Sequence, residues 1–390
     1  MRPEVDARIR AISTEYPSRL PRQRLDAVER LRDAAGIALP PVRVAVVGTN
    51  GKTSTSVFIA RLLRRAEIRE GVTTSPHIRR WGERVAIAGE ALADEALLAR
   101  LEVLHELARG IDEGESLRFF DLLTLAAAAA FADAGVEIGV FEAGIGGRLD
   151  ATRVLTPQLT VLTSVGLDHV ELLGGREVEI MREKLAVAPR GSHVLAASLP
   201  PELEAEAVAF AEAQGVELEL VRSEPGNVSL RNAELAAAAA AALGLATAPG
   251  DAARLAAEPV PGRLQRVSAA GVEVLLDAAH NPQAWAEIAS QLPASFVAVV
   301  SVSADRPAAA LSVALAGAVS VVATEAWAGR SASARDLAAA LAAAEAVDDP
   351  VAAVRRGLEL ARARELPLVV LGSSYLLPHA FVALERMSAL

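Results

Sequence analysis

The 390-residue chain contains no cysteine. Disulfides, thiol nucleophiles and cysteine-zinc sites are therefore excluded, and the absence fits a reducing compartment. Aromatic residues are also scarce, at 3%. Hydrophobic residues nevertheless reach 52%, so the cores must be built from Leu, Val, Ile and Ala. Positive charge is in deficit: the formal net charge is −10. No basic stripe is visible, and nucleic-acid binding, which needs a cationic face, is not expected. A local basic pocket for a nucleotide is compatible with that balance. Long hydrophobic runs are missing too. The most apolar stretches, Leu122 to Ala132 and Leu235 to Leu245, fall short of the ~18 residues of a spanning helix. The N-terminal residues Met1 to Asp6 lack the charged-then-apolar pattern of a signal peptide. A soluble, cytoplasmic protein with no membrane partner is expected.

At this length two or three domains are expected. Apolar residues at helical spacing mark a helix over Arg22 to Ala35, which Pro40-Pro41 terminates. Val42 to Val47 is a β-branched run ending at Gly48, the pattern of a buried strand. A helix over Lys52 to Ala66 follows. The alternation continues with helix Phe119 to Ala134, strands Val136 to Glu142 and Leu159 to Ser164, helix Arg176 to Val187, helix Pro201 to Gln214, strand Val216 to Val221 and helix Asn232 to Leu243. Such alternation predicts a mostly parallel, doubly wound α/β sheet. The Pro- and Gly-bearing stretch Ala246 to Arg263 marks a hinge, giving domains 1–263 and 264–390. The second is again α/β, with strands Val272 to Leu276, Phe296 to Val302, Val319 to Thr324 and Pro367 to Leu371 among helices Gln283 to Gln291, Ala334 to Ala344 and Val351 to Ala363.

Between the first strand and its helix lies Gly48-Thr49-Asn50-Gly51-Lys52-Thr53-Ser54. Strand, glycine turn and helix in that order make a phosphate loop. Backbone N–H groups of the turn converge on phosphate oxygens, and the helix N-terminus adds a positive dipole end. Lys52 supplies a full charge, and Thr53 or Ser54 a hydroxyl for magnesium. The spacing departs from GxxxxGK[ST], because Val46 occupies the first glycine position. The alternative is an ordinary glycine turn before a helix.

Other chemistry-bearing residues sit at strand ends. Glu142 closes a predicted parallel strand, where open α/β sheets place ligands, and a carboxylate there can hold Mg²⁺. His169 follows the next strand beside Asp168. Lys184 lies on a predicted helix, and from the residues alone it reads as a solvated surface charge. Asp277 ends strand Val272 to Leu276 and, with His280, points into a loop toward the domain cleft. Asn281 and Pro282 read as a helix N-cap and first position.

Five segments carry a resemblance. They are the phosphate loop; Thr74-Ser75-Pro76-His77-Ile78 with Glu83-Arg84; Glu142 through Thr152 (E-A-G-I-G-G-R-L-D-A-T); Leu167-Asp168-His169 with Arg182-Glu183-Lys184; and Asp277 through Pro282. In order and spacing the chain resembles the folylpolyglutamate synthase/dihydrofolate synthase family of the Mur ligase superfamily, from about Leu25 to Leu376. The resemblance implies a doubly wound P-loop ATPase domain followed by a smaller Rossmann-like α/β domain. It implies an ATP-dependent amide ligase that joins L-glutamate to dihydropteroate or folate polyglutamate tails through an acyl phosphate, acting as a monomer. Lys52, Glu142, His169 and Lys184 would be catalytic. Gly48, Thr49, Asn50, Gly51, Lys52, Thr53, Ser54, Asn232, Arg263, Asp277 and His280 would bind ATP. His77, Arg84 and Asp150 would bind substrate. Two Mg²⁺ ions would be held by Thr53, Ser54, Ser75, Glu142, His169 and a Lys184 carbamylated by CO₂.

The chain also departs from the family pattern. Its loop reads Gly-Lys-Thr-Ser, the form commoner in cell-wall Mur ligases, where the folate enzymes usually have Gly-Lys-Gly-Ser. Arg153 replaces the usual Asn, Leu185-Ala186-Val187 replaces Ala-Gly-Ile, and Asp305-Arg306-Pro307 stands for Asp-Lys-Asp. The stretch from Lys184 to Asn232 is short. These positions bear on the pterin pocket and the amino-acid acceptor. A Mur-like ligase for a cell-wall or secondary-metabolite carboxylate is the alternative, and a nonenzymatic ATP-binding protein is a further one.

Overall fold

The computed structural model describes residues 2–16, 25–111, 117–224, 226–341 and 344–388. The chain forms two compact units, one of Met1–Pro225 with Ser229–Ala256 and one of Gly226–Val228 with Ala257–Leu390.

The first unit is built on eight strands: β1 (Val42–Val47), β2 (Glu70–Thr73), β3 (Val85–Ile87), β4 (Glu90–Ala91), β5 (Ile138–Glu142), β6 (Leu159–Leu162), β7 (His193–Ala197) and β8 (Glu217–Val221). Their order is β4-β3-β2-β5-β1-β6-β7-β8. From β2 to β8 every neighbouring pair is parallel, while β3 and β4 add an antiparallel edge. Val44 to Val47 of β1 are fully buried because helices cover both faces of this sheet. One core gathers the alanine-rich helix Phe119–Asp133 with the helices Pro3–Glu15, Leu25–Ala34 and Asp94–Arg109; the other packs Ala45 and Val47 against Ile180, Met181 and Leu185. The expected helix over Arg22 to Ala35 is present as Leu25–Ala34, and Arg22 to Arg24 lie outside the described residues.

The second unit has strands β9 (Gln265–Ala269), β10 (Val272–Leu276), β11 (Phe296–Val300), β12 (Ala318–Ala323), β13 (Glu345–Ala346) and β14 (Leu368–Leu371), in the order β13-β12-β11-β14-β10-β9. All pairs are parallel except β9 with β10. Trp285 is completely buried in its core. Asn281 caps the helix Pro282–Ala289 as expected, accepting from Ala284 N at 2.8 Å with Pro282 in the first turn. No helix among the described residues is long and apolar enough to cross a membrane.

Candidate nucleotide and metal site

The expected strand Leu159 to Ser164 stops at Leu162, and the two hydroxyl residues that follow turn onto the phosphate loop. Thr163 Oγ1 donates to Asn50 O at 2.6 Å and Ser164 Oγ to the same oxygen at 3.0 Å. Asn50 N donates back to Ser164 Oγ at 2.8 Å, and Thr49 N to Ser164 O at 2.9 Å. These braces fix the curl that converges the loop amides. Gly48 has φ +152°, and a Cβ there would overlap Thr163 Oγ1, so only glycine lets the loop lie this close to β6. Gly51, in the left-handed region at φ +87°, starts the helix Lys52–Arg65. Thr163 and Ser164 escaped the sequence reading. Their signal was a polar pair at the carboxyl end of a strand adjoining β1.

Lys52 Nζ lies at the mouth of this loop, 3.0 Å from Gly48 O and 3.2 Å from Thr49 O. One residue on, the Thr53 hydroxyl reaches both carboxylate oxygens of Glu142 at 3.1 Å. Ser75 N donates to Glu142 Oε2 at 2.9 Å, and Glu142 N to Thr73 Oγ1 at 3.0 Å. Parallel pairing of β5 with β1 and β2 brings these residues together. The donors are hydroxyl and carboxylate oxygens, the chemistry a hard cation takes. No cluster of three or more His, Cys, Asp or Glu side chains stands ready for a metal among the described residues. A hydroxyl-and-carboxylate set fits an ion that keeps water and nucleotide oxygens as its remaining ligands.

Lys184 is no solvated charge. It is 5% exposed, and its Nζ donates to Gly48 O at 2.9 Å. Burial, then the neighbouring Lys52 ammonium, pulls its pKa down to about 7, against the pull of Asp168 and Asp150. Helical periodicity alone could not show that this face of the helix Glu177–Leu185 turns inward. His169 is held in the left-handed region at φ +51°, with its N–H on Asp168 Oδ1 at 2.8 Å and Nε2 3.8 Å from the same oxygen. Six other non-glycine residues among those described share the positive φ, so the conformation alone does not mark His169 as functional. Asn232 is 2% exposed, its Oδ1 has no hydrogen-bond partner, and it packs against Gly51. An orphaned buried acceptor beside a phosphate loop suits a ligand N–H.

The other expected substrate residues divide. His77 and Arg84 meet: Arg84 Nε donates to His77 Nδ1 at 2.8 Å, so the imidazole proton must sit on Nε2. Burial first, then Arg84, pushes the His77 pKa down to about 3. His77 also packs on Trp81, whose ring lies 5.5 Å from Phe119 and under the Arg84 guanidinium. Asp150, by contrast, is fully buried and spent on its own loop. It accepts from Gly144 N, Thr152 N and Thr152 Oγ1 at 2.8–3.0 Å. It shapes the glycine-rich turn and presents no oxygen to a substrate.

In the second unit Asp277 likewise does not point outward. It is 4% exposed, and its oxygens accept from Leu264 N and Ala279 N at 2.7 Å. Burial pushes its carboxyl up, and Arg263 opposes that shift. Arg263 is half-buried. His280 is exposed, and its Nδ1 donates to Ala278 O at 3.0 Å.

Residues 46–190 match the model of the Mur ligase middle domain, and residues 262–374 that of the Mur ligase glutamate ligase domain. Over 343 residues the chain is 32% identical to the dihydrofolate synthase/folylpolyglutamate synthase of Mycobacterium tuberculosis, covering 73% of this chain and 69% of that one. The chain belongs to the folylpolyglutamate synthase/dihydrofolate synthase family. The fold agrees across its length. Escherichia coli FolC in complex with DHPP and ADP is 25% identical and superimposes with a TM-score of 0.85 over 98% of both chains. A bifunctional folylpolyglutamate synthase/dihydrofolate synthase with Mn, AMPPNP and L-glutamate bound is 27% identical, with a TM-score of 0.84 over 98% of both chains. In this folylpolyglutamate synthase family member the departing Arg153 also has a structural place, since its guanidinium donates to Arg148 O at 3.0 Å within the glycine-rich turn.

Proposed function

We propose that this chain is an ATP-dependent amide ligase that joins L-glutamate to dihydropteroate, to folate polyglutamate tails, or to both. The observation that carries this reading is the meeting of Thr53, Ser75 and Glu142 at about 3 Å beside the Lys52 loop. Family membership supplies the chemistry: ADP and DHPP are bound to the E. coli relative, and Mn, AMPPNP and L-glutamate to another. A substrate carboxylate oxygen attacks the γ-phosphorus of ATP, and the bond to the β-bridging oxygen breaks, releasing ADP. The amine of L-glutamate then attacks the acyl carbon, phosphate leaves with its electron pair, and the ammonium proton passes to solvent.

The chain's own groups serve these steps by binding and charge placement. The amides of Gly51, Lys52 and Thr53 at the helix start would cradle phosphate oxygens, and Lys52 adds a cation beside them. Asn232 Oδ1 offers an acceptor to the adenine amino group. His77 presents its Nε2–H, and Arg84 its charge, at an apolar face formed by Trp81 and Phe119. Thr53, Ser54, Ser75 and Glu142 would hold one Mg²⁺, and His169 with a carbamylated Lys184 a second. When bound, such ions neutralise the transferring phosphoryl group. Carbamylation needs a neutral amine. Near pH 7 the Lys184 nitrogen carries a lone pair that attacks the carbon of CO₂, a C–O π pair moves to oxygen, and one N–H proton is released. Arg263 and His280 are assigned to the nucleotide. We place the enzyme in the cytoplasm as a monomer.

Thr53 favours a second reading, a Mur-like ligase for another carboxylate, because the Gly-Lys-Thr-Ser loop is the commoner form in cell-wall ligases. Phosphate release from MgATP, measured with Lys52→Ala and Glu142→Gln beside wild type, tests the shared core. Folded variants should be slower by about 10²-fold or more, as for loss of a preorganised charge at the transferring group. Wild-type turnover in Lys52→Ala would remove the loop from the mechanism.

A further inference from the structure

Behind the site lies a buried ionic cluster that this chemistry does not use. Arg118 is 7% exposed, and Asp121 and Asp150 are fully buried. Arg118 Nη2 donates to Asp121 Oδ1 at 2.9 Å and to Leu149 O at 3.1 Å, and Arg118 N to Asp121 Oδ2 at 2.8 Å. The negative charge of Asp150 also favours the Arg118 cation, while the hydrogen bonds of the guanidinium go to Asp121 and to the carbonyl of Leu149, the residue before Asp150. Asp150 in turn holds Gly144 N at 3.0 Å, two residues after Glu142. At its middle the same turn is pressed on the helix carrying Lys184. Arg148 N donates to Glu183 O at 2.8 Å, and a Cβ on Gly147 would overlap Lys184 O.

We propose that Arg118 is a positioning residue: clamped by Asp121, it counters the buried charge of Asp150 and fixes the 143–150 turn, which sets Glu142 and the Lys184 helix in mutual register. Its catalytic consequence rests on the ligase reading above; the clamp itself does not. Exchanging a buried ion pair for apolar residues of similar volume is often neutral for stability. Removing the pair together avoids stranding Asp121, and it leaves Asp150 without the counter-charge whose role is under test. The phosphate loop is braced by Thr163 and Ser164, outside this cluster, so it should not respond.

The test is the double variant Arg118→Met with Asp121→Leu, compared with wild type by amide hydrogen exchange in the absence of substrates and by steady-state kinetics. Exchange across 143–152 should accelerate while 48–56 stays as in wild type. The kcat should fall about 10²-fold, the scale of an ångström-sized misplacement, with KM for ATP unchanged. A folded variant with wild-type exchange over 143–152 and wild-type kcat overturns the proposal. If the double variant does not fold, Arg118→Lys replaces it. That change keeps the charge but loses the fork to Leu149 O, and it should give the same pattern at smaller amplitude; wild-type exchange there overturns the proposal equally. Accelerated exchange in an enzyme whose wild type releases no phosphate would instead sink the ligase reading and leave the clamp in place.

Discussion

At the scale of single residues, the lysine at 184 carries the most consequence. If its carbamate is a metal ligand, Lys184→Ala should be nearly inactive, and acetate or formate should restore part of the turnover by filling the vacated oxygen site. An unmodified ammonium could not take that role, since two unit charges ~4 Å apart at an effective dielectric of ~20 repel by about 4 kcal/mol. Near-normal turnover in Lys184→Ala would remove it from the site. In CO₂-depleted buffer the same amine gives a pH signature. Its folded pKa of about 7 lies below the usual 10.5, so the unfolded chain binds the extra proton between those values. Stability should therefore rise from pH 7 toward pH 10, and that increment should vanish in Lys184→Met; identical profiles would contradict the burial. His77 is expected to stay neutral, with its proton on Nε2, from pH 5 upward; a ring-nitrogen NMR titration showing a midpoint near 6.5 would contradict its contact with Arg84. The identity of these residues was legible in the sequence, because motifs mark strand ends. Their surroundings were not. Whether Lys184 faces water or Gly48 depends on how its helix rolls against β6, which no local pattern encodes.

At the scale of elements, β1 matched its expected span of Val42 to Val47, because a β-branched run between Pro41 and Gly48 leaves no other option. The edges were harder to see. β2 begins with a glutamate and a glycine, and β9 (Gln265–Ala269) opens on two polar residues and carries one β-branched side chain, Val267. Both owe their strand state to a paired neighbour rather than to propensity. Thr163 and Ser164 look like a continuing strand in sequence and leave it because the phosphate loop offers their hydroxyls better partners. The turn after β5 gives a test at this scale. Gly147→Ala would force its Cβ into the Lys184 carbonyl, so the helix or the turn must shift. Activity should fall about 10²-fold through misplacement, and the thermal midpoint should drop too, because backbone has to give way. Unchanged kcat would mean that the turn and the helix are not coupled.

For the whole molecule, the α/β class and the family were readable from five motifs spread along nearly the entire chain, and the comparisons agree with both. What was not readable is which motif residues lie against the phosphate loop. Asp150 and Asp277 look alike in sequence to Glu142, being acids at the end of a strand or in a glycine-rich turn. Both turn out to be occupied by backbone amides; Glu142 takes one as well, from Ser75, and differs in that the Thr53 hydroxyl of the phosphate loop lies on both its oxygens. The central claim is that one chain couples ATP cleavage to an amide between a pterin or folate carboxylate and L-glutamate. Its most direct test is mass analysis of the product after incubation with MgATP, L-glutamate and either dihydropteroate or a folate monoglutamate, with phosphate release followed in parallel. A product heavier by one glutamyl residue is expected for at least one carboxylate, with one phosphate released per amide. No glutamylated product from either carboxylate, with turnover appearing only on a non-folate acid, would contradict it.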